Sequence, residues 1–313
     1  MRETEHYPVM AAEMESFLLG EGGRPPGAFC DCTVGAGGYA RRILRAAPRR
    51  RLVAMDRDGD AIERCRRRLS EFGDRVRFVH GSFSTIREAT AGCQPLAGIV
   101  ADLGFSRMQL NEAARGFSLR LRGPLDMRFD RRQSLRAEEF VNRGGERELA
   151  DLLYGLADER HSRRIARAVV RARPLRDTSH LARVVERAVP RRGRWRIHPA
   201  TKTFQALRMA VNDEAGELRA LLAAAPTILA AGGRLVVISF HSGEDRLVKR
   251  SFRDFSAKGV YTPLVRRPLR PTGDEVQRSP ASRSARLRAA QRTNRPIGGE
   301  QRSFNKLRRS AAW

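Results

Sequence analysis

Cysteine is scarce in this chain, with four residues in a sequence of 313. They form no CxxC pair, and no histidine cluster accompanies them at the spacing of metal ligands. We therefore expect no metal site and no disulfide framework, which fits a protein of a reducing cytoplasm. The four residues are Cys30, Cys32, Cys65 and Cys93.

Long apolar runs are also lacking. The most apolar stretch, Leu221 to Ala231, is short and is interrupted by Pro226. A membrane-spanning helix needs about 20 consecutive apolar residues, and the amino terminus has no signal-peptide pattern. The sequence therefore predicts a soluble, cytoplasmic protein without a membrane partner.

Acidic residues are few relative to basic ones. The chain has 35 Asp and Glu and 61 Lys and Arg, which gives a formal net charge of +26. Such a charge attracts a polyanion, and nucleic acid is the first candidate. Residues 246–313 hold 18 Lys or Arg and four Asp or Glu, a balance of +14. This localised excess predicts a phosphate-binding surface. The alternative is arginine spread over solvated faces as a result of genomic base composition.

Short β-rich runs alternate with helical periodicity and predict a parallel, doubly wound α/β sheet. The runs are Phe29 to Val34, Arg51 to Met55, Val76 to His80, Gly98 to Leu103 and Arg234 to Phe240. The last gap is far longer than a crossover helix requires. Helical periodicity predicts a small helical domain from Ala137 to Val189 and a further helix from Thr203 to Ala224. The proline-rich sequence from about Thr262 predicts a wrapped extension or a partly disordered tail.

The first run leads into a glycine-rich turn, Asp31-Cys-Thr-Val-Gly-Ala-Gly-Gly-Tyr39. Glycine lets the backbone turn sharply and approach a ligand closely. The turn is weak evidence alone, because Gly35, Gly37 and Ala40 also satisfy the dinucleotide fingerprint of a nicotinamide-dependent enzyme. Asp56 directly follows the second run, 19 residues after Gly37, where a carboxylate takes the ribose hydroxyls of an adenosine-type cofactor.

Two other candidate residues follow the next runs. Phe83 comes after the third run, where it either flanks an adenine ring or belongs to the core. Asp102 ends the fourth run, at the edge where open α/β sheets bind ligands. An exocyclic amine is a poor nucleophile that must be held by acceptors while its proton departs. Asp102 and Ser106 suit either such an amine or a cofactor amino group, and the sequence does not decide between them.

Several longer blocks, found in order from His6-Tyr-Pro-Val9 to Arg292, carry a specific resemblance. They are Asp102-Leu-Gly-Phe-Ser with Gln109-Leu, Arg115-Gly-Phe-Ser, Gly123-Pro-Leu-Asp-Met-Arg128, His198-Pro-Ala-Thr-Lys-Thr-Phe-Gln-Ala-Leu-Arg208, Val211-Asn-Asp-Glu214, Gly232 to Ser242, Glu244-Asp-Arg246 and Arg283 to Arg288. Together they resemble the RsmH (MraW) family of bacterial methyltransferases. Members of that family modify N4 of a cytidine in the decoding region of 16S ribosomal RNA.

The resemblance implies a Rossmann-like class I methyltransferase sheet with an inserted small helical domain. It implies S-adenosyl-L-methionine as cofactor and 16S rRNA or the small ribosomal subunit as partner. On this basis we divide the chain into 1–110 and 216–313, the two parts of a methyltransferase domain, and 111–215, a mainly helical RNA-recognition insertion. The oligomeric state is left open, with a homodimer as one option. The cofactor-binding residues that the resemblance implies are Gly37, Gly38, Tyr39, Asp56, Phe83, Asp102 and Gln109.

The chain departs from the family pattern in four places. Tyr39 stands where His is usual, and Phe105-Ser-Arg-Met108 replaces Val-Ser-Ser-Pro. Arg122 replaces an Asp, and Gly243 replaces a Leu. Arg107 and Arg122 add charge near the expected substrate mouth, where they would strengthen phosphate contact or mark altered or lost activity.

His241 and Asp126 are the candidate catalytic residues. His241 follows the fifth run on the same rim as Asp102, where it would accept a proton or bind RNA phosphate. A structural histidine is the alternative. Asp126 either takes part in the chemistry or clamps its loop by pairing with Arg128 or Arg115.

Aromatic residues make up only 6% of the chain, so RNA stacking sites must be few. Candidate RNA contacts are Arg163-Arg164, the stretch Arg191-Arg-Gly-Arg-Trp-Arg196, and the basic tail, because arginine binds phosphate and tryptophan stacks on bases. A solvated charge run is the alternative.

Three classes of function compete at this point. The first is S-adenosylmethionine-dependent N4-methylation of rRNA cytidine; a C5-cytosine mechanism is disfavoured because neither Cys65 nor Cys93 lies at a strand-end motif. The second is an NAD-dependent oxidoreductase, against which the Asp102-Leu-Gly rim and the basic tail count. The third is a catalytically impaired rRNA-binding ribosome-assembly factor, against which the intact cofactor-binding residues count.

Overall fold

The structure is a computed structural model and describes residues 8–20, 25–190 and 197–297. The described chain forms two compact units, one of residues 8–104 and 215–297 and the other of residues 105–214. Throughout these residues, no helix has both the length and the apolar character that crossing a membrane requires.

The first unit is built on a seven-stranded sheet. Its strands are β1 (Phe29–Asp31), β2 (Leu52–Asp56), β3 (Val76–His80), β4 (Leu96–Asp102), β5 (Leu229–Ser239), β6 (Tyr261–Pro263) and β7 (Arg286–Arg292). They lie in the order β3-β2-β1-β4-β5-β7-β6. Strands β1 to β5 are parallel, and β7 runs antiparallel to both of its neighbours. The predicted Rossmann-like class I methyltransferase sheet is thereby confirmed.

Helices connect these strands and build the second unit. In chain order they are α1 (Ala11–Leu19), α2 (Gly38–Ala46), α3 (Gly59–Arg68), α4 (Ile86–Ala89), α5 (Arg107–Asn111), α6 (Ala137–Asn142), α7 (Glu146–Ala157), α8 (Ser162–Arg171), α9 (Thr178–Ala188), α10 (Thr201–Val211), α11 (Glu214–Ile228), α12 (Ser242–Ala257) and α13 (Gly273–Arg278).

The sheet is buried on both faces, which explains why its strands read as continuous apolar runs. Successive residues of β5 alternate between two separate hydrophobic clusters. Leu235 and Val237 belong to one cluster, and Val236 and Ile238 belong to the other. All four residues are at most 1% exposed, so a polar substitution in this strand would disrupt one of the two packed layers.

The tail prediction is wrong for its central part, because residues 286–292 form β7 inside the sheet. The sequence Arg-Leu-Arg-Ala-Ala-Gln-Arg alternates over its first four residues only, and the apolar members of this short pattern, Leu287 and Ala289, are fully buried. Arg288 is also buried, and its Nε donates to Asp245 Oδ1 at 2.6 Å. This ion pair lets an arginine occupy a sheet position that the sequence pattern assigns to solvent.

The second unit is helical, as predicted. Helices α6 to α10 enclose one hydrophobic cluster that includes Leu153, Ile165 and Leu181, each 0% exposed. The single helix predicted from Thr203 to Ala224 is wrong, because two helices, α10 and α11, occupy that stretch. Helix α10 ends before Asn212, which separates it from α11. The buried side chain of Asn212 donates to Met127 O at 2.8 Å and accepts from Phe129 N at 2.8 Å.

Candidate cofactor site and substrate-binding residues

The turn between β1 and α2 is shaped by its glycines. Gly35 and Gly37 have φ angles of 50° and 82°, in the left-handed region that favours glycine. Gly37 N donates to Val34 O at 2.7 Å, and Val34 N donates to Met55 O at 3.0 Å. These bonds hold the turn against the end of β2, as a cofactor-binding turn requires.

Asp56 lies beside this turn, at the end of β2. Its Oδ2 accepts from Gly35 N at 2.9 Å, and its Oδ1 accepts from Asp58 N at 2.9 Å. Burial raises the pKa of Asp56 to about 6, against the lowering effect of these backbone hydrogen bonds. Each carboxylate oxygen has a second lone pair that can accept from a hydroxyl. The predicted contact with the cofactor ribose is compatible with this geometry and stays a prediction.

Tyr39, which is buried, and Asp102, which is partly buried, form a pair that the sequence did not reveal. The Tyr39 hydroxyl lies 2.6 Å from Val9 O and 3.1 Å from Asp102 Oδ2, so its one proton serves two acceptors. Asp102 N donates to Thr33 Oγ1 at 2.7 Å. Asp102 Oδ1 is shielded from solvent and has no hydrogen-bond partner within the described part of the chain. Burial raises the pKa of Asp102 to about 8, which the hydrogen bond from Tyr39 partly opposes and the charge of Asp31 reinforces.

Asp31 is a candidate site residue that sequence reasoning missed. It ends β1, is 0% exposed, and accepts from Thr33 N at 3.2 Å through Oδ1. Its Oδ2 is buried and lacks a partner among the described residues. Burial raises its pKa to about 7, and the charge of Asp56 adds to the effect. The available signal was an acidic residue in the strand Phe29-Cys-Asp31, which is otherwise apolar.

The unpartnered oxygens of Asp31 and Asp102 allow us to test whether S-adenosylmethionine fits this site. Buried carboxylates are costly unless a cation or hydrogen-bond donors satisfy them. S-adenosylmethionine carries a sulfonium and an ammonium group, and both would relieve this cost. These two carboxylates therefore fit this cofactor, and Asp31 and Asp102 are the residues that would hold its positive charge.

Two more predicted cofactor residues have clear local surroundings. Phe83 lies in a short 3-10 turn, partly buried against the hydrophobic cluster on one face of the sheet. A Cβ built on Gly38 would lie 3.1 Å from the Pro8 ring, so glycine allows the amino-terminal segment to approach the turn. Their contact with the cofactor stays a prediction.

In the second unit, Gln109 and Ser106 cap α5. Gln109 N donates to Ser106 Oγ at 3.2 Å, and Ser106 N donates to Gln109 Oε1 at 2.9 Å. Gln109 is 7% exposed. The reciprocal cap fixes the position of its amide, while the predicted cofactor contact remains untested by this geometry.

His241 caps the first turn of α12. Its Nδ1 accepts from Glu244 N at 3.4 Å, and its Nε2 lies 3.2 Å from Glu244 Oε1. Because Nδ1 acts as an acceptor, the neutral ring carries its proton on Nε2. Proton acceptance at Nδ1 would break the cap. This arrangement favours the structural alternative for His241, and its catalytic role stays a prediction.

Asp126 is engaged by Arg128. Arg128 Nε donates to Asp126 Oδ1 at 2.8 Å, and Arg128 Nη2 donates to Oδ2 at 2.7 Å. Burial alone would raise the pKa of Asp126, but the hydrogen bonds and charge of Arg128 outweigh it and lower the pKa. A carboxylate held in this way is a poor proton acceptor near neutral pH. The geometry favours the loop clamp over a role in the chemistry.

The arginines expected to bind RNA differ in their surroundings. Arg163 and Arg164 are exposed on α8. The exposed side chain of Arg122 pairs with Asp177 at 2.8 Å, so its added charge is balanced locally. In the basic tail, Arg286 and Arg288 both pair with Asp245. The predicted contacts at 191–196 and 298–313 lie outside the described residues.

Comparison with known proteins gives a consistent result. The model of the MraW methylase family matches residues 3–293. The Ribosomal RNA small subunit methyltransferase H of Solibacter usitatus is 51% identical over 91% of this chain and 98% of its own length. The proteins of the same name from Koribacter versatilis and from Cyanothece sp. PCC 7425 are 46% and 47% identical, over 93% and 92% of this chain and 95% and 94% of theirs.

Among solved structures, the N-methyltransferase NodS from Bradyrhizobium japonicum WM9 is similar at 12% identity, with a TM-score of 0.41 over 90% of this chain and 94% of that chain. The family assignment rests on the family model and on the relatives of 46% to 51% identity. The chain therefore belongs to the MraW methylase family, a family of S-adenosylmethionine-dependent methyltransferases.

Proposed function

We propose that this protein methylates N4 of a cytidine in the decoding region of the small-subunit ribosomal RNA, using S-adenosylmethionine. The observation that carries the proposal is the pair of buried, unpartnered carboxylate oxygens on Asp31 and Asp102, at the tips of β1 and β4 in a methylase-family chain. The relatives named as rRNA small-subunit methyltransferases support ribosomal RNA as the substrate. The oxidoreductase alternative is set aside because the family is a methylase family.

The bound cofactor supplies an electrophilic methyl group on a sulfonium sulfur. In our proposal, Asp31 and Asp102 hold its positive charge, and Asp56 accepts hydrogen bonds from its ribose. Tyr39 positions Asp102 through the 3.1 Å hydrogen bond to Oδ2. Orienting a weak amine nucleophile against a fixed methyl group lowers the barrier mainly by proximity.

The amine must lose one proton in the course of the reaction. Arg128 holds Asp126 in its charged form, and the helix cap engages Nδ1 of His241. Neither residue is placed as an efficient general base, so we propose proton loss to solvent after methyl transfer, with no dedicated base. The second unit, residues 105–214, serves in this proposal as the RNA-recognition part of the protein.

The test is mass spectrometry of ribosomal RNA nucleosides from a strain that lacks the gene. We expect one N4-methylated cytidine to disappear and to return when the wild-type gene is restored. Asp102→Asn, a variant of nearly equal volume, should fail to restore it. Small subunits from the deletion strain should accept labelled methyl from the purified protein. An unchanged nucleoside profile in the deletion strain would overturn the proposal.

A further inference from the structure

Three phenylalanine rings of the second unit form a continuous stack. The Phe105 and Phe117 ring centroids lie 5.7 Å apart with an interplanar angle of 7°. Phe117 and Phe129 follow at 5.5 Å and 19°. Parallel, offset rings at such distances attract each other beyond the area that they bury. The stack therefore fixes the plane of its outermost ring.

The outermost ring, Phe105, is open to solvent. Phe105 is 39% exposed, whereas Phe117 and Phe129 are 6% and 8% exposed. The Arg208 guanidinium lies over the Phe105 ring, 4.8 Å from its centroid. Both carboxylate oxygens of Glu214 hold that guanidinium, at 2.7 and 2.8 Å. A rigid ring is thus presented to solvent beside a guanidinium plane whose charge Glu214 balances.

This combination is chemically selective. An exposed apolar ring beside a fixed guanidinium plane suits a flat ligand. Because Glu214 balances the charge of Arg208, attraction to a polyanion comes from the net charge of +26 on the rest of the chain. Unpaired nucleobases bind proteins in this way, by stacking on aromatic and guanidinium planes. Arg107, two residues further along the chain, is exposed and offers a cation for the adjoining phosphate.

We propose that Phe105 is a base-stacking residue, and that it binds one unpaired base of the RNA substrate, with Arg107 at the neighbouring phosphate. The inference rests on the proposed RNA substrate and deepens it. Phe105 and Arg107 both lie in the stretch where this chain departs from Val-Ser-Ser-Pro, and the departure adds an aromatic ring and a cation. The altered stretch thus strengthens RNA binding in this chain.

The experiment uses the full chain and decoding-region RNA oligonucleotides that carry 2-aminopurine at one unpaired position each. Stacking on an aromatic ring quenches 2-aminopurine fluorescence, so we expect the wild-type protein to quench at one position. Phe105→Leu keeps an apolar side chain but removes the ring. We expect it to abolish that quenching and to raise the RNA Kd about tenfold, within the range measured for single base-stacking residues. Phe105→Trp should retain the quenching and bind within threefold of the wild type.

Tyr154→Leu is the matched control, because Tyr154 is also an exposed aromatic of the second unit, at 62%. We expect wild-type quenching and a wild-type Kd. With small subunits as substrate, Phe105→Leu should raise KM about tenfold and change kcat less than threefold. The inference is overturned if Phe105→Leu quenches and binds like the wild type, or if Phe105→Trp fails as Phe105→Leu does. A wild-type protein that binds no RNA would instead overturn the proposed function.

Discussion

Cofactor binding should depend steeply on pH because of the partly buried acid Asp102. Its pKa is about 8, raised chiefly by burial. A ligand of positive charge binds its ionised form, so affinity rises as the pH rises through 8. The ionised fraction of a group with this pKa is about 3% at pH 6.5 and about 75% at pH 8.5. If only the ionised form binds, the apparent Kd falls about 25-fold between these values.

Protein stability should change in the opposite direction when no cofactor is bound. The pKa of Asp102 in the folded protein lies above the ordinary aspartate value of 3.8, so the unfolded chain ionises first as the pH rises. The contribution of protonated Asp102 to the free energy of unfolding is present in full below the pKa of the unfolded chain. It is lost as the pH rises through the folded pKa of about 8. Asp31, with a pKa of about 7, adds to the loss in the same direction.

Isothermal titration calorimetry of S-adenosylmethionine binding between pH 6.5 and 8.5 measures the effect on affinity. Asp102→Asn is the control, since it removes the titrating group and should bind weakly at every pH. S-adenosylhomocysteine lacks the sulfonium charge and should show a shallower dependence. The reasoning would be refuted by a wild-type Kd that stays within twofold over this range, or by an Asp102→Asn variant that keeps the wild-type dependence.

Three other substitutions test the remaining assignments. Asp56→Ala should weaken S-adenosylmethionine binding at least tenfold, about 1.4 kcal/mol, and unchanged affinity by calorimetry would contradict the ribose contact. Asp126→Asn should lower the free energy of unfolding in urea by about 2 kcal/mol, because it breaks the pair with Arg128; unchanged stability with a lowered kcat would instead support a catalytic role. Leu153→Ala, in the core of the second unit, should cost about 3 kcal/mol in the same assay, and a loss below 1 kcal/mol would count against tight packing there.

The strands that carry the site could be predicted because β1, β2 and β4 are buried on both faces. The run Val76–His80 coincides with β3, and the predicted ends of the second and fourth runs fall within one residue of Asp56 and Asp102. Strand β7 was missed, since two of its three arginines pair with Asp245, which is distant in the sequence. Such a pairing joins residues more than 40 positions apart, and no local pattern reports it.

The site shows the same division between local and distant information. The glycine turn and Asp56 are local signals, and the structure places them side by side at the ends of β1 and β2, while their contact with the cofactor stays a prediction. The hydrogen bond between Tyr39 and Asp102 spans 63 positions and depends on the neighbouring positions of β1 and β4 in the sheet. The break between α10 and α11 depends on Asn212 side-chain bonds to distant backbone atoms, so helical periodicity alone could not locate it.

The position of the second unit in the chain has a consequence for engineering. It enters after β4 and leaves at the start of α11, and α11 leads directly into β5, which is the parallel neighbour of β4. Strand, helix and strand would thus remain an ordinary crossover if residues 105–214 were excised and Gly104 were joined to Ala215 by a short flexible linker. The second unit can thus be regarded as an insertion at one point of an α/β domain, between β4 and α11. This junction is the place at which the corresponding unit of a relative could be exchanged for it.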